Sequence, residues 1–231
     1  MRLHKRIVSV SLLACFCLFV TACTANTTPD DTKTTEYQNS MQEGTSASNE
    51  SMPDDTGDNA NDNTLIIYYS YSGNTEMVAK LIQEKIGGDL YKIETVRDYP
   101  ANGSEVSDEA AAERESGNLP ELKGELPDIS AYERIFVGGP VWTYTVSTPL
   151  MSYLSQTDFA GKAVVPFWTD AGTPGDYEKE FINQAQNAAI LPGLGLSNVS
   201  SMEDRTLSSL LDGWLTTALT TTENQKGDDG Q

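Results

Sequence analysis

The chain of 231 residues carries 34 acidic and 15 basic side chains, which gives a net charge of −19 at pH 7. Nucleic acid and anionic lipid headgroups would both be repelled by such a surface, so neither is expected as a partner. The charge suits either a cationic partner or a surface that is simply well solvated. Residues 64–220 are long enough for one ordinary domain with a buried core.

The amino terminus has the composition of an export signal. A basic region at residues 1–6 precedes an apolar run at residues 7–20, which has roughly the length of a signal peptide and is too short for a comfortable span of a hydrocarbon core of about 30 Å. The next residues, up to Cys23, read Val-Thr-Ala-Cys and resemble the lipobox of bacterial lipoproteins. That resemblance implies that residues 1–22 are a signal peptide and that Cys23 is lipidated, which would anchor the protein to the outer face of the cell membrane. An uncleaved anchor helix is the alternative, and it also predicts export.

Processing of this kind limits the chemistry that the mature chain can perform. It would remove His4, Cys15 and Cys17, and it would leave Cys23 blocked by lipid. A histidine-based triad, a zinc site of the Cys/His type, a thiol nucleophile and a disulfide would then all be excluded, and no metal is expected. Redox or group-transfer chemistry would therefore require a bound cofactor.

Residues 24–63 form an acidic segment that is not expected to fold. They contain nine acidic residues and one lysine, with almost no large apolar side chains. Such a segment cannot bury enough surface to offset the entropy of ordering it, so it predicts a disordered tether. As a flexible coil of this length, it would have a root-mean-square reach of about 35 Å.

The remainder alternates between strand and helix patterns. Predicted strands cover residues 65–69, 90–94, 132–137, 162–168 and 189–199. Predicted helices cover residues 75–86, 106–115, 149–155 and 176–188, and a last helix has an apolar face from Leu207 to Ala218. Pro166 is unusual for a central strand, the fifth strand is interrupted by Pro192, Gly193 and Gly195, and Ser201 with Asp204 has the spacing of a capping box. Residues 221–231 are predicted to be a disordered tail. The alternation predicts an α/β fold with a doubly wound, five-stranded parallel sheet and helices on both faces.

In such sheets ligands bind at the carboxyl ends of the strands, which directs attention to the loops at residues 70–75, 139–148 and 169–177. The first of these combines three serine or threonine hydroxyls, one amide, a glycine and the free N–H groups of a helix start. These neutral donors are what a phosphate dianion requires when no cation binds it. Residues 64–79 contain no Lys or Arg and no GxGxxG spacing, which argues against a Walker-type or dinucleotide loop. A helix cap without any ligand is the alternative.

The sequence from Tyr69 to Thr75 resembles the FMN phosphate loop of flavodoxins, and Gly139-Pro140-Val141-Trp142 extends the resemblance, which spans about residues 64–218. It implies non-covalently bound FMN, with these residues holding the phosphate: Ser70, Ser72, Gly73, Asn74 and Thr75. The isoalloxazine would lie against Pro140, Val141, Trp142, Thr143 and Tyr144, and its other edge would meet Thr169, Asp170, Ala171 and Gly172. Tyr177, which opens the helix beside the third loop, is a further candidate for ring contact.

A flavodoxin-like protein would act as an electron carrier or as a flavin-dependent reductase, and the sequence does not reveal its redox partner. Two alternatives of another class are a flavin-scavenging protein and a flavin-free interaction module with the same fold. The acidic side chains of Asp170, Asp176 and Glu178 would disfavour the anionic reduced flavin, and the three loops contain no basic residue to offset them. This composition predicts a low reduction potential.

Overall fold

A computed structural model describes residues 63–228. The predicted signal peptide, Cys23 and nearly all of the predicted tether lie outside the described residues, so those expectations stay predictions. Among residues 63–228, no helix combines the length and the apolar character needed to span a bilayer.

The described chain alternates between strands and helices. The strands are β1 Thr64–Tyr68, β2 Asp89–Lys92, β3 Arg134–Trp142, β4 Thr145–Val146, β5 Ala163–Asp170, β6 Ala189–Ile190 and β7 Leu194–Ser197. The helices are α1 Asn74–Ile86, α2 Gly103–Ser116, α3 Thr148–Gln156, α4 Tyr177–Gln184 and α5 Asp204–Asp228, with a 3₁₀ turn at Val199–Ser201. The last helix therefore continues past Thr220, where the sequence pattern predicted that the domain ends.

The sheet has the strand order β2-β1-β3-β5-β6, and these strands are parallel. β7 also pairs with β5 in parallel, next to the later residues of β5, whereas β6 pairs with its first residues. β4 folds back antiparallel on β3. One face of the sheet is covered by α1 and α5, and the opposite face by α2, α3 and α4. The predicted doubly wound α/β fold is confirmed. The strand order reverses between β1 and β3, so the loops that follow these two strands diverge and open a crevice.

Pro166 is accommodated in the middle of β5 by a break in its neighbour. The carbonyl of Val164 accepts a hydrogen bond from the N–H of Leu191, at 2.9 Å. Alternate residues of a strand direct their backbone groups to the same side, so the missing N–H of Pro166 also faces this edge. Pro166 lies opposite the gap between β6 and β7, where the edge has no ladder that needs its N–H. The predicted fifth strand is therefore two short strands.

Two local predictions were wrong. α5 begins at Asp204, three residues after Ser201, and the Ser201 hydroxyl donates to the carbonyl oxygen of Asn198 at 3.0 Å within the 3₁₀ turn, so Ser201 does not cap this helix. The segment after β3 was predicted as an open loop, but Trp142 pairs with Thr145 and closes a β-hairpin. This hairpin shapes the candidate site.

Candidate functional site

The first predicted loop ends at an uncapped helix. α1 begins at Asn74, the residue before it is Gly73 with φ of 90°, and no side chain caps the helix. The positive φ suits glycine, and the space above its Cα is open. The N–H groups of the first turn have no partner within the helix, and the positive end of the helix dipole lies there too. The loop can therefore bind an anion without a basic side chain.

An acidic residue in this first turn is neutralised by lysines from elsewhere in the sequence. Glu76 accepts hydrogen bonds from Lys80, at 2.7 Å, and from Lys92 at the end of β2, at 2.8 Å. These two bonds lower the pKa of the Glu76 carboxyl to about 2. The negative charge that would repel a phosphate is thus balanced by two cations.

The β3–β4 hairpin turns through two residues in the left-handed region, Thr143 with φ of 48° and Tyr144 with φ of 65°. The Tyr144 side chain is 69% exposed at the tip of the hairpin, whereas Trp142 is 8% exposed. Trp142 makes edge-to-face contacts with three tyrosines at centroid distances of 4.8 to 5.8 Å: Tyr69, Tyr71 and Tyr99. The exposed aromatic ring of this loop is therefore that of Tyr144, whereas the indole of Trp142 mostly packs against the three tyrosines.

The third loop is joined to the first by a hydrogen bond between the Thr75 and Thr169 hydroxyls, at 2.8 Å. Both threonines are buried. The neighbouring Asp170 accepts hydrogen bonds through Oδ1 from the Gly172 N–H, at 2.6 Å, and from the Ser197 hydroxyl, at 2.8 Å. Its Oδ2 is buried without a partner. One carboxylate oxygen thus holds the loop, and the other is enclosed by the protein.

The three predicted loops meet in one cleft of about 210 Å³, which we call the central cleft. Of the predicted residues, it is lined by Ser72, Asn74, Pro140, Val141, Trp142, Thr169, Asp170 and Ala171. A second cleft of about 330 Å³ shares Val141, Asp170 and Ala171 with the first, and it adds Thr143 and Tyr144. The predicted convergence of the loops at the carboxyl ends of the strands is what the structure shows.

Some predicted site residues lie elsewhere. Ser70 lines a neighbouring cleft of about 290 Å³ together with Lys92 and Lys123, although its buried hydroxyl has no hydrogen-bond partner. Tyr177 is fully buried; its ring stacks on Trp168 at 5.0 Å and on Phe181 at 6.3 Å. Burial raises the pKa of the Tyr177 hydroxyl. Tyr177 belongs to the core, so its prediction as a ring contact was wrong.

Five residues that line the clefts were not among the predicted site residues: Tyr71 and Thr173 lie in the predicted loops, and the other three lie outside them. Asn198 and Ser200, which follow β7, line the central cleft, and Ser107 of α2 lines the second one. Asn198 and Ser200 could have been found, because they follow the carboxyl end of a strand in the same sheet. Ser107 could not, since it lies on a helix whose position depends on tertiary packing.

Unpartnered polar atoms concentrate around these loops. Four of the six buried side-chain polar atoms without a hydrogen-bond partner in the described region lie at this end of the sheet: Ser70 Oγ, Thr145 Oγ1, Ser147 Oγ and Asp170 Oδ2. Buried polar groups are usually paired, so this concentration sets the carboxyl end of the sheet apart from the rest of the core. No cluster of three or more potential metal ligands occurs among the described residues.

The profile of the family described as Flavodoxin matches residues 63–215. The chain belongs to the flavodoxin family. The match covers the sheet, the helices on both of its faces and all three loops of the site.

Solved structures agree with this family assignment. A flavoprotein from Lactobacillus acidophilus, solved in complex with FMN, is 28% identical with a TM-score of 0.54, over 58% of this chain and 93% of that one. A protein from Bacteroides uniformis assigned as a flavoprotein is 26% identical with a TM-score of 0.58, over 66% of this chain and 99% of that one. No curated protein matches this chain.

Proposed function

We propose that this domain binds FMN non-covalently and takes part in electron transfer or flavin-dependent reduction. The observation that carries the proposal is the single cleft in which the uncapped start of α1 meets the segments after β3 and β5. The flavoprotein from Lactobacillus acidophilus, which has a similar fold, was solved with FMN. FMN supplies the redox chemistry when bound, and the chain supplies orientation and electrostatics.

The start of α1 fits the phosphate of FMN. Ser72 and Asn74 line the cleft with neutral polar side chains, and Gly73 leaves the space above the first helical turn open. Main-chain N–H groups at a helix start bind phosphate without a basic residue. The ion pairs of Glu76 with Lys80 and Lys92 balance the negative charge of the acidic residue in this first turn.

The other two loops fit the isoalloxazine. Val141 and Ala171 give the cleft apolar walls, and the exposed ring of Tyr144 offers an aromatic face to a flat ligand. The lining combines apolar walls with polar side chains, which suits a flat ring that has a polar edge.

Titration of the purified chain tests this proposal. FMN fluorescence is followed at increasing protein concentration, with riboflavin as the matched ligand because it lacks the phosphate. We expect quenching by both ligands, with FMN bound at least about tenfold more tightly because only FMN engages the helix start. A colourless protein that quenches neither ligand would support the flavin-free interaction module instead.

Reduction kinetics can distinguish a flavin-dependent reductase from an electron carrier. Stopped-flow mixing of FMN-loaded protein with NADH, NADPH and reduced quinols separates a reductase from a carrier. Fast reduction by a nicotinamide would indicate a reductase, whereas fast exchange with a protein or quinol donor alone would indicate a carrier.

We also propose that the protein is exported and anchored by a lipid on Cys23. The proposal rests on the basic region, the apolar run and the lipobox-like residues at positions 20–23. Fractionation of cells that express the chain or its Cys23→Ser variant tests it. The unchanged chain should sediment with membranes as an acylated species, and the variant should lack the lipid; equal masses apart from the substitution would contradict the proposal.

A further inference from the structure

We infer that Arg114, near the end of α2, is a positioning residue for the part of the cleft that is proposed to hold the isoalloxazine. We call this part the ring end. The Arg114 guanidinium fixes the β3–β4 hairpin and places a positive charge against the loop that is proposed to contact the flavin. The role in flavin binding rests on the proposed function, whereas the role in holding the hairpin does not. No sequence motif marks this arginine.

The guanidinium contacts the hairpin on both of its strands. Its Nε donates to Thr143 Oγ1 at 3.3 Å, and its Nη2 donates to the carbonyl of Trp142 at 3.3 Å and to the carbonyl of Val146. Nη1 lies 2.7 Å from the sulfur of Met151 in α3. One side chain thus joins both strands of the hairpin to two helices.

The hairpin needs such support because its turn residues are unsuited to their backbone conformation. Two-residue turns with positive φ at both positions strongly favour Asn-Gly or similar pairs, whereas this turn has Thr143 and Tyr144. A β-branched residue with positive φ is an outlier that persists only where its surroundings impose it. The N–H of Asp176 supplies one restraint through a 2.9 Å bond to the Tyr144 carbonyl, and Arg114 supplies the others.

The charge of Arg114 has a second consequence. Burial lowers the pKa of the guanidinium, but arginine stays protonated in proteins, so a positive charge lies at the base of the hairpin. The negative charges of Glu180 and Glu113 raise this pKa. A cation at this position favours an anionic reduced flavin and offsets the carboxylate of Asp170. Arg114 should therefore raise the reduction potential above the value that the acidic loops alone would give.

Three variants of the full chain separate these effects. Arg114→Gln removes the charge but keeps an amide donor, and Arg114→Lys keeps the charge but loses the forked geometry. The control, Lys85→Met, removes a positive charge in the last turn of α1, far from the cleft, where Lys85 bonds Ser208 at 2.8 Å and Asp212 at 2.7 Å.

The affinity for oxidised FMN and the two-electron potential are measured for each variant. Both Arg114 variants should bind oxidised FMN about tenfold more weakly. Arg114→Gln should lose a further tenfold for reduced FMN, which lowers the potential by about 30 mV, whereas Arg114→Lys should leave the potential unchanged. Lys85→Met should change neither quantity. Wild-type affinity and potential in Arg114→Gln would overturn the inference.

Hydrogen exchange of the cofactor-free chain tests the hairpin separately. Amides of residues 141–146 should exchange faster in Arg114→Gln than in the wild type, and Lys85→Met should not affect them. Unchanged protection in Arg114→Gln would overturn the positioning role. Failure of the wild type to bind FMN, with the exchange result as expected, would instead contradict the proposed function alone.

Discussion

The two ends of the cleft are built in different ways. The phosphate end is contiguous in sequence, since Ser72, Gly73 and Asn74 follow β1 directly and open α1. The ring end depends on partners that are distant in sequence, because Arg114 and the N–H of Asp176 hold the turn at Thr143 and Tyr144. A contiguous site can be recognised from its residues, whereas a site assembled by packing requires the fold.

The largest expected effect is a difference in stability between variants of the two aromatic residues at the ring end. Trp142→Ala should lower the free energy of unfolding by about 3–5 kcal/mol, because the indole is buried among three tyrosines. The matched control is Tyr144→Ala, whose exposed ring can be removed with a change of about 0.5 kcal/mol or less. Urea unfolding measures both variants. Equal destabilisation would mean that Trp142 is not the packed residue of the pair.

A glycine in the third loop tests how tightly that loop is joined to the hairpin. Gly175 has φ of 59°, and an added Cβ would collide with the carbonyl of Tyr144. Gly175→Ala should therefore cost about 2–3 kcal/mol, from overpacking together with the left-handed backbone. Gly161→Ala is the control, because Gly161 has φ of +82° but open space around it. If the denaturation midpoints of Gly175→Ala and Gly161→Ala shifted equally, the hairpin would be able to move away from the added methyl group at little cost in stability.

The phosphate end should respond through binding more than through stability. Gly73→Ala strains a residue with φ of +90° and should weaken FMN binding by about tenfold, or about 1.4 kcal/mol. Riboflavin, which lacks the phosphate, should be affected much less. Gly124→Ala, with φ of +79° and open space, controls for backbone strain outside the site. Fluorescence titration with both flavins makes the measurement; equal losses would show that this turn does not contact the phosphate.

The smallest effect concerns the ion pairs beside that turn. The pKa of Glu76 is about 2 in the folded chain, below its ordinary value of 4.5, so its contribution to stability is present above pH 4.5 and is lost as the pH falls towards 2. Because the pair is near the surface, Glu76→Gln should cost at most about 1 kcal/mol at pH 7. The difference between variant and wild type should vanish near pH 2 in a series of urea titrations. A difference that does not change with pH would contradict this assignment.

Most of the fold could be predicted from the sequence because its signals are local. The apolar run of β1, the periodic face of α1 and the interruption at Pro192 each mark an element within a few residues. The β3–β4 hairpin could not be predicted, since Thr143 and Tyr144 carry no turn signal and their conformation is imposed by Arg114. Tyr177 was misassigned for the same reason: its position at a helix start places it near the third loop, but stacking between Trp168 and Phe181 directs it into the core.

We propose that FMN occupies the cleft between the start of α1, the β3–β4 hairpin and the end of β5. Amide chemical shifts of the cofactor-free chain, recorded while FMN is added, locate the bound cofactor. The largest shifts should fall in residues 72–75, 141–144 and 169–172. Shifts confined to the neighbouring cleft lined by Ser70, Lys92 and Lys123, or no shifts at saturating FMN, would contradict it.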